Sequence, residues 1–162
     1  MTMTYRTGIG IDIHPLVPNR KLILGGIDIP FELGLQGNSD GDVLAHAIID
    51  AMFGAAGLGD IGSHFPANDQ KYKGSSSMDL LATTAAKLSE AGWKTSYVDA
   101  TILAQEPVLR PHISKMESCI SKSSGIHISC INVKATTTDK LGFIGEGQGI
   151  GGLAIATIEK AS

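Results

Sequence analysis

The chain carries no excess of either charge, few aromatics and only two cysteines in 162 residues. Lys+Arg number 13 against 16 Asp+Glu, a formal net charge of −3. That balance gives no electrostatic footprint for nucleic acid or for an anionic membrane surface. Charged residues are 18% of the chain, below the usual quarter or about 25%, which points to surface hidden in a subunit interface. Cys119 and Cys130 lack a CxxC partner and read as reduced, packed thiols. No apolar run approaches membrane-spanning length, and Met1-Thr2-Met3-Thr4-Tyr5-Arg6 holds no apolar signal core. The expectation is a soluble, cytoplasmic protein. A plastid protein relieved of its transit peptide would read the same way.

Glycine is abundant instead, at 20 residues, and its clusters suggest backbone packed closely against a ligand or another chain. The length fits one domain over residues 1–162, and no internal repeat is visible. Hydrophobic patterning predicts strands at 5–14, 21–31 (broken by Gly25-Gly26), 94–104, 130–137 and 153–158. It predicts helices from Ser39 to about Leu58, over 78–91 closed by Gly92, and over 111–123 opened by Pro111. Ser39 and Asp42 read as a capping-box-like pair. The polar stretch up to Ser77 reads as a mobile loop. The sum is an α/β sandwich of the α+β kind. About four main strands form a mixed sheet, helices cover one face, and the other face is free to oligomerise.

Asp12 and His14 stand two apart in an apolar run, so a strand would project both side chains from one face. His46 falls one turn inside the first helix, on the face of Asp42 and Asp50. One carboxylate and two imidazoles from separate elements suit a zinc ion with its fourth position open. Asp50 could serve as the acceptor that fixes a ligating ring. Asp-x-His alone is common, and His14 could equally be an ordinary strand histidine.

Other segments are more ambiguous. Lys134-Ala135-Thr136-Thr137-Thr138-Asp139-Lys140 offers hydroxyls for phosphate and a carboxylate for a hard cation. On composition alone its threonines read better as strand formers. Asp60-Ile61-Gly62 suits a substrate diol or a plain turn. The Pro-bracketed loop 104–112 suits a nucleobase or a simple connection. His64, His112 and His127 lack metal-type spacing. Gly147-Gln148-Gly149-Ile150-Gly151-Gly152 matches GxGxxG but precedes a strand, so it is no dinucleotide fingerprint.

Together Gly10-Ile11-Asp12-Ile13-His14, Ser39-Asp40-Gly41-Asp42-Val43, Gly59-Asp60-Ile61-Gly62, Phe65-Pro66, Lys73-Gly74 and Lys134-Ala135-Thr136-Thr137-Thr138 resemble the 2-C-methyl-D-erythritol 2,4-cyclodiphosphate synthase family. The resemblance covers nearly the whole chain. It implies a homotrimer with active sites between subunits. The implied reaction is cyclisation of 4-diphosphocytidyl-2-C-methyl-D-erythritol 2-phosphate with release of CMP. The substrate's own 2-phosphate is the nucleophile, so none is needed from the protein.

By the same resemblance Asp12, His14 and His46 bind Zn²⁺, while Asp139, in place of a family Glu, binds Mg²⁺ or Mn²⁺. Thr136 and Thr137 hold phosphate, with Ala135 and Phe143 alongside. Asp60 and Gly62 hold the erythritol portion, the loop of Ala104, Val108, Leu109 and Arg110 holds the cytosine, and Ser39, Ile61 and Phe65 are further substrate-binding residues. Asp139, Thr137 and Asn38 are the implied catalytic residues. Asn38 stands where the family usually has His, Ile9 replaces another His, and Glu146 and Gln148 occupy a segment that often carries Arg. Two competing readings are a zinc-dependent phosphohydrolase and a trimeric binding protein without activity.

Overall fold

The computed structural model describes residues 4–161. A five-stranded sheet runs in the order β4-β1-β7-β5-β6. Its strands are β1 (Tyr5–Pro18), β4 (Leu33–Leu35), β5 (Trp93–Leu103), β6 (Ile131–Thr136) and β7 (Gly149–Lys160). Only β5 and β6 pair in parallel. A parallel pair needs a long crossover, and α4 (Ile113–Ser124) supplies it. Strands β2 (Leu22–Leu24) and β3 (Ile27–Ile29) form a separate hairpin across Gly25-Gly26, so the expected 21–31 strand is a pair outside the main sheet.

Helix α1 (Val43–Ala56) covers β1 and β7, α3 (Ser77–Glu90) lies over β5, and α4 lies over β6. All pack on one face. The sheet therefore has one more strand than expected, the short edge strand β4, and the expected one-sided layering. Short helices α2 (Ile61–His64) and α5 (Gly142–Gly145) sit in connections.

Helix α1 begins later than Ser39. Gly41 has φ +78°, outside helical space, and Asp42 is the N-cap. Its carboxylate accepts the Ala45 N–H at 3.1 Å and the Gly25 and Gly26 N–H groups at 3.0 and 2.7 Å. The Ser39–Asp42 capping pair is thus replaced by Asp42 alone, and Asp42 faces the β2–β3 turn rather than His46. Burial pushes the Asp42 carboxyl up to about 6, against the pull of its three N–H donors.

Backbone contact sets the distance between α1 and the sheet. A Cβ on Gly10 would lie 1.9 Å from the Ala47 carbonyl oxygen, and one on Gly8 2.2 Å from that of Ala51. On β7, a Cβ on Gly152 would meet the Val43 oxygen at 2.4 Å. Glycine on the strands and Ala47, Ala51 and Ala55 on the helix let the two layers touch. The same strand face continues from Gly8 and Gly10 to Asp12 and His14. Large side chains such as Leu44, Ile48, Met52 and Phe53 are fully buried around this contact, each contributing about 1.5–3 kcal/mol.

Gly10→Ala is expected to cost about 3 kcal/mol, since a methyl group there forces rigid backbone apart. Urea denaturation measures it. A Gly10→Ala protein as stable as the wild type would show that the helix can shift without penalty.

Candidate active site

At the rim of the sheet, β1 and α1 bring three side chains to one point. Asp12 Oδ2 lies 3.0 Å from His14 Nε2 and 2.8 Å from His46 Nδ1. One donor atom from each residue lies within 4.8 Å of the others, the only such group of three or more His, Cys, Asp or Glu among the described residues. Burial alone would raise the Asp12 carboxyl, but hydrogen bonds from His14 and His46 outweigh it and hold it at about 2. The hydrogen bond to Asp12 raises His14 above its ordinary value.

The far nitrogens of both rings are also engaged. His14 Nδ1 meets the Gln36 carbonyl oxygen, a contact that places its hydrogen there and leaves Nε2 free to ligate. His46 Nε2 lies 2.9 Å from Ser77 Oγ and 3.1 Å from Ser39 Oγ. Asp50 does not take that role. Its carboxylate accepts the Ile61 N–H at 2.7 Å instead, fixing the start of α2. One hard oxygen and two oriented imidazoles, with no thiolate, fit a divalent metal of the zinc type.

The triad opens into a cavity of about 200 Å³ shared with Asn38, Ser39, Ile61, Gly62 and Phe65, all expected there from the sequence. Ala67, Tyr72 and Leu80 complete the wall and were not foreseen, because Tyr72 sits in a polar stretch that reads as loop. That stretch is tied down. Gly74 N–H donates to the Asn38 oxygen, Asp40 N–H to the Ser75 oxygen, and Tyr72 packs edge-on to Phe65. Asp60 stands beside the cavity without lining it. Its carboxylate caps α2, accepting the Ser63 N–H and hydroxyl.

A second cavity of about 240 Å³ gathers Ala104, Val108, Leu109, Arg110, Ala135, Thr136 and Thr137, with Gln105 and Pro107. It lies at the same end of the sheet, in the register row Asp12–Gly152–Ile102–Ala135. Three inter-strand steps separate the row's ends, roughly 14 Å. Asp139 and Phe143 line neither cavity and are exposed. Asp139 adopts φ +51° and Lys140 φ +65°. Thr137 Oγ1 donates to Asp139 at 3.3 Å, and Lys140 N–H donates to Gln105 at 3.1 Å, tying this turn to the second cavity. The six-residue GxGxxG match falls on the start of β7 and its approach, where Gly152 admits α1.

These features define an α/β sandwich protein with a two-histidine, one-carboxylate cluster able to hold a divalent metal. The chain belongs to the YgbB family, whose pattern spans residues 5–159. The 2-C-methyl-D-erythritol 2,4-cyclodiphosphate synthase of Desulforamulus reducens is 50% identical over 155 residues, 96% of this chain and 99% of its own. The enzyme of the same name from Alkaliphilus oremlandii is 52% identical over 156 residues, 96% and 99%. The bifunctional IspDF of Campylobacter jejuni superposes with a TM-score of 0.94 at 42% identity. That match covers 98% of this chain but only 43% of the longer one. The IspF of Plasmodium falciparum in complex with CDP superposes with a TM-score of 0.86 at 30% identity, over 100% of both chains. Among the described residues no helix is long and apolar enough to cross a membrane.

If the cluster holds metal, the purified protein should contain roughly one zinc per chain. Elemental analysis of His14→Ala and His46→Ala should show most of it lost. Full occupancy in both variants would remove the assignment.

Proposed function

We propose that this protein is a phosphorus–oxygen lyase that cyclises 4-diphosphocytidyl-2-C-methyl-D-erythritol 2-phosphate and releases CMP. The observation that carries the reading is a pair of cavities on one sheet rim. One holds the Asp12/His14/His46 cluster, the other the threonines of β6. The names of the relatives specify the product. In the reaction the 2-phosphate oxygen bonds to the β-phosphorus, and the bond to the α-phosphate oxygen breaks with its electrons leaving on CMP. No protein nucleophile is consumed.

Asp12, His14 and His46 would hold Zn²⁺ and Asp139 Mg²⁺ or Mn²⁺, and cations bound there would neutralise the phosphates as charge shifts between them. The residues themselves position the substrate. Ile61, Gly62 and Phe65 give the erythritol an apolar and backbone-lined seat, with Ser39 and Asp60 as polar neighbours. Thr136 and Thr137 offer hydroxyls to the diphosphate, beside Ala135 and Phe143. Ala104, Val108, Leu109 and Arg110 form the slot for cytosine. Asn38 faces the attacking phosphate as a neutral donor, without the charge a histidine could bring. Holding both ends of one molecule is a large part of such catalysis.

The roughly 14 Å between Asp12 and Ala135, the two ends of that register row, supports a site shared by neighbouring copies, in a homotrimer. The bare sheet face supports it too. Ile9, Ile11 and Ile13 are 62, 59 and 48% exposed, with Tyr97 and Ile155 beside them at 44 and 43%. An apolar stripe of this kind marks an interface.

Incubation with the cytidylyl substrate, followed by phosphorus NMR, tests the reading. Cyclic diphosphate plus CMP is expected, and a ring-free product would replace it with a hydrolase. Asp139→Asn should lower turnover about a hundredfold, the scale of one lost electrostatic contact in a preorganised site. Its zinc content should hold. Asn tolerates the left-handed backbone there, so normal turnover would end the magnesium assignment. Light scattering should give three chains per particle, and Ile11→Asp should dissociate them. A monomeric wild type at micromolar concentration would remove the shared site.

A further inference from the structure

The hydroxyl of Ser77 is fully buried between two partners. One is His46 Nε2, at 2.9 Å. The other is the Asp40 carboxylate, whose Oδ1 takes the Ser77 hydroxyl in a close contact and whose Oδ2 accepts the Ser77 N–H at 2.9 Å. Asp40 also accepts the Asp42 N–H at 3.2 Å. Proton direction in this chain is fixed by chemistry. An ionised carboxylate only accepts, so Ser77 must donate its single hydrogen to Asp40. The Ser77 oxygen then has only lone pairs for His46, so His46 Nε2 must carry a hydrogen and donate it. With Nε2 committed to its hydrogen, Nδ1, the nitrogen turned to Asp12, is the one that gives up its hydrogen and offers a lone pair when a cation binds.

We infer that Asp40 and Ser77 are positioning residues for the metal site, setting the tautomer of His46 and latching onto it the wall that closes the first cavity. Resting on the metal-binding reading above, this adds two residues to it. Ser77 opens α3, directly after the 66–76 segment that carries Tyr72. That segment is held at three further points, Asp40 N–H to Ser75, Gly74 N–H to Asn38, and Tyr72 against Phe65. Ser77, directly after the segment that carries Tyr72, therefore grips a metal ligand, and Asp40 grips Ser77 by both its backbone and its hydroxyl. Ser39 touches the same nitrogen from 3.1 Å, but its oxygen also accepts the Gly41 N–H at 3.3 Å. It has no carboxylate behind it to fix its hydrogen.

The test is zinc affinity by chelator competition on the whole protein, with Co²⁺ substitution as a spectroscopic readout. Ser77→Ala should weaken zinc 10- to 100-fold, the usual effect of removing an outer partner of a ligating histidine, and should change the Co²⁺ visible band. Asp40→Asn should weaken it in the same sense, because an amide can donate to Ser77 and turn its hydrogen toward His46. Ser76→Ala is the control. Ser76 caps α3 through the Met78 N–H at 3.2 Å and does not contact His46, so helix damage alone would appear there. Its metal affinity should match the wild type. Wild-type affinity in both Ser77→Ala and Asp40→Asn would overturn the inference and leave the metal site standing. Equal losses in Ser76→Ala would overturn it as well, by making helix stability the cause. A wild type that binds neither ion would overturn the metal reading and this inference together.

Discussion

Backbone contact between α1 and strands β1 and β7 is the constraint on which the rest of this structure depends. Gly8, Gly10 and Gly152 have no side chains to hold the helix off, and the carbonyls of Val43, Ala47 and Ala51 occupy the space. His46 precedes Ala47, and Asp12 follows Gly10 on the same strand face. The spacing that lets Gly10 meet Ala47 is therefore the spacing that lets His46 reach Asp12. Side chains of ordinary size between helix and sheet would set the layers further apart and open the 2.8 Å contact between these residues. The cluster is an outcome of layer packing as much as of ligand choice.

A second anchor fixes the helix along its axis. Asp42 closes the first turn of α1 and simultaneously receives two N–H groups from the β2–β3 turn. A buried carboxylate with three donors is costly to disturb, because removing any partner leaves charge without compensation. Packing against the glycines sets the depth of His46, and Asp42 sets its height.

Much of this was legible in the sequence because it is local. Alternation placed Asp12 and His14 on one face, helical periodicity placed His46 inside α1, and the family motifs pointed to Asn38, Ser39, Ile61, Gly62 and Phe65 of the first cavity and to Ala104, Val108, Leu109, Arg110, Ala135, Thr136 and Thr137 of the second. What escaped was long-range or carried by backbone. The Ser39–Asp42 pairing is a reasonable local expectation, but Gly25 and Gly26 claim Asp42 from seventeen and sixteen residues away. Asp50 lies one helical turn beyond His46, yet Ile61 takes its carboxylate. The Gln36 carbonyl that orients His14 carries no side-chain signature, and Ser77 is indistinguishable from Ser75 and Ser76 until the fold brings it to His46. Strand β4, three residues long, is too short for alternation to reveal.

The one-sided layering has a thermodynamic consequence. A domain with helices on both faces of its sheet closes its core within one chain. Here Ile9, Ile11 and Ile13 remain in water on a lone chain, and their burial depends on collision with another molecule. A partner that binds this face only in the folded state would add stability by mass action, and where that partner is a second copy the melting temperature rises with protein concentration. For a chain that associates with its own copies through such a face, abundance is itself a stabilising variable, and a newly made molecule in a dilute compartment is at its most vulnerable before it meets a second.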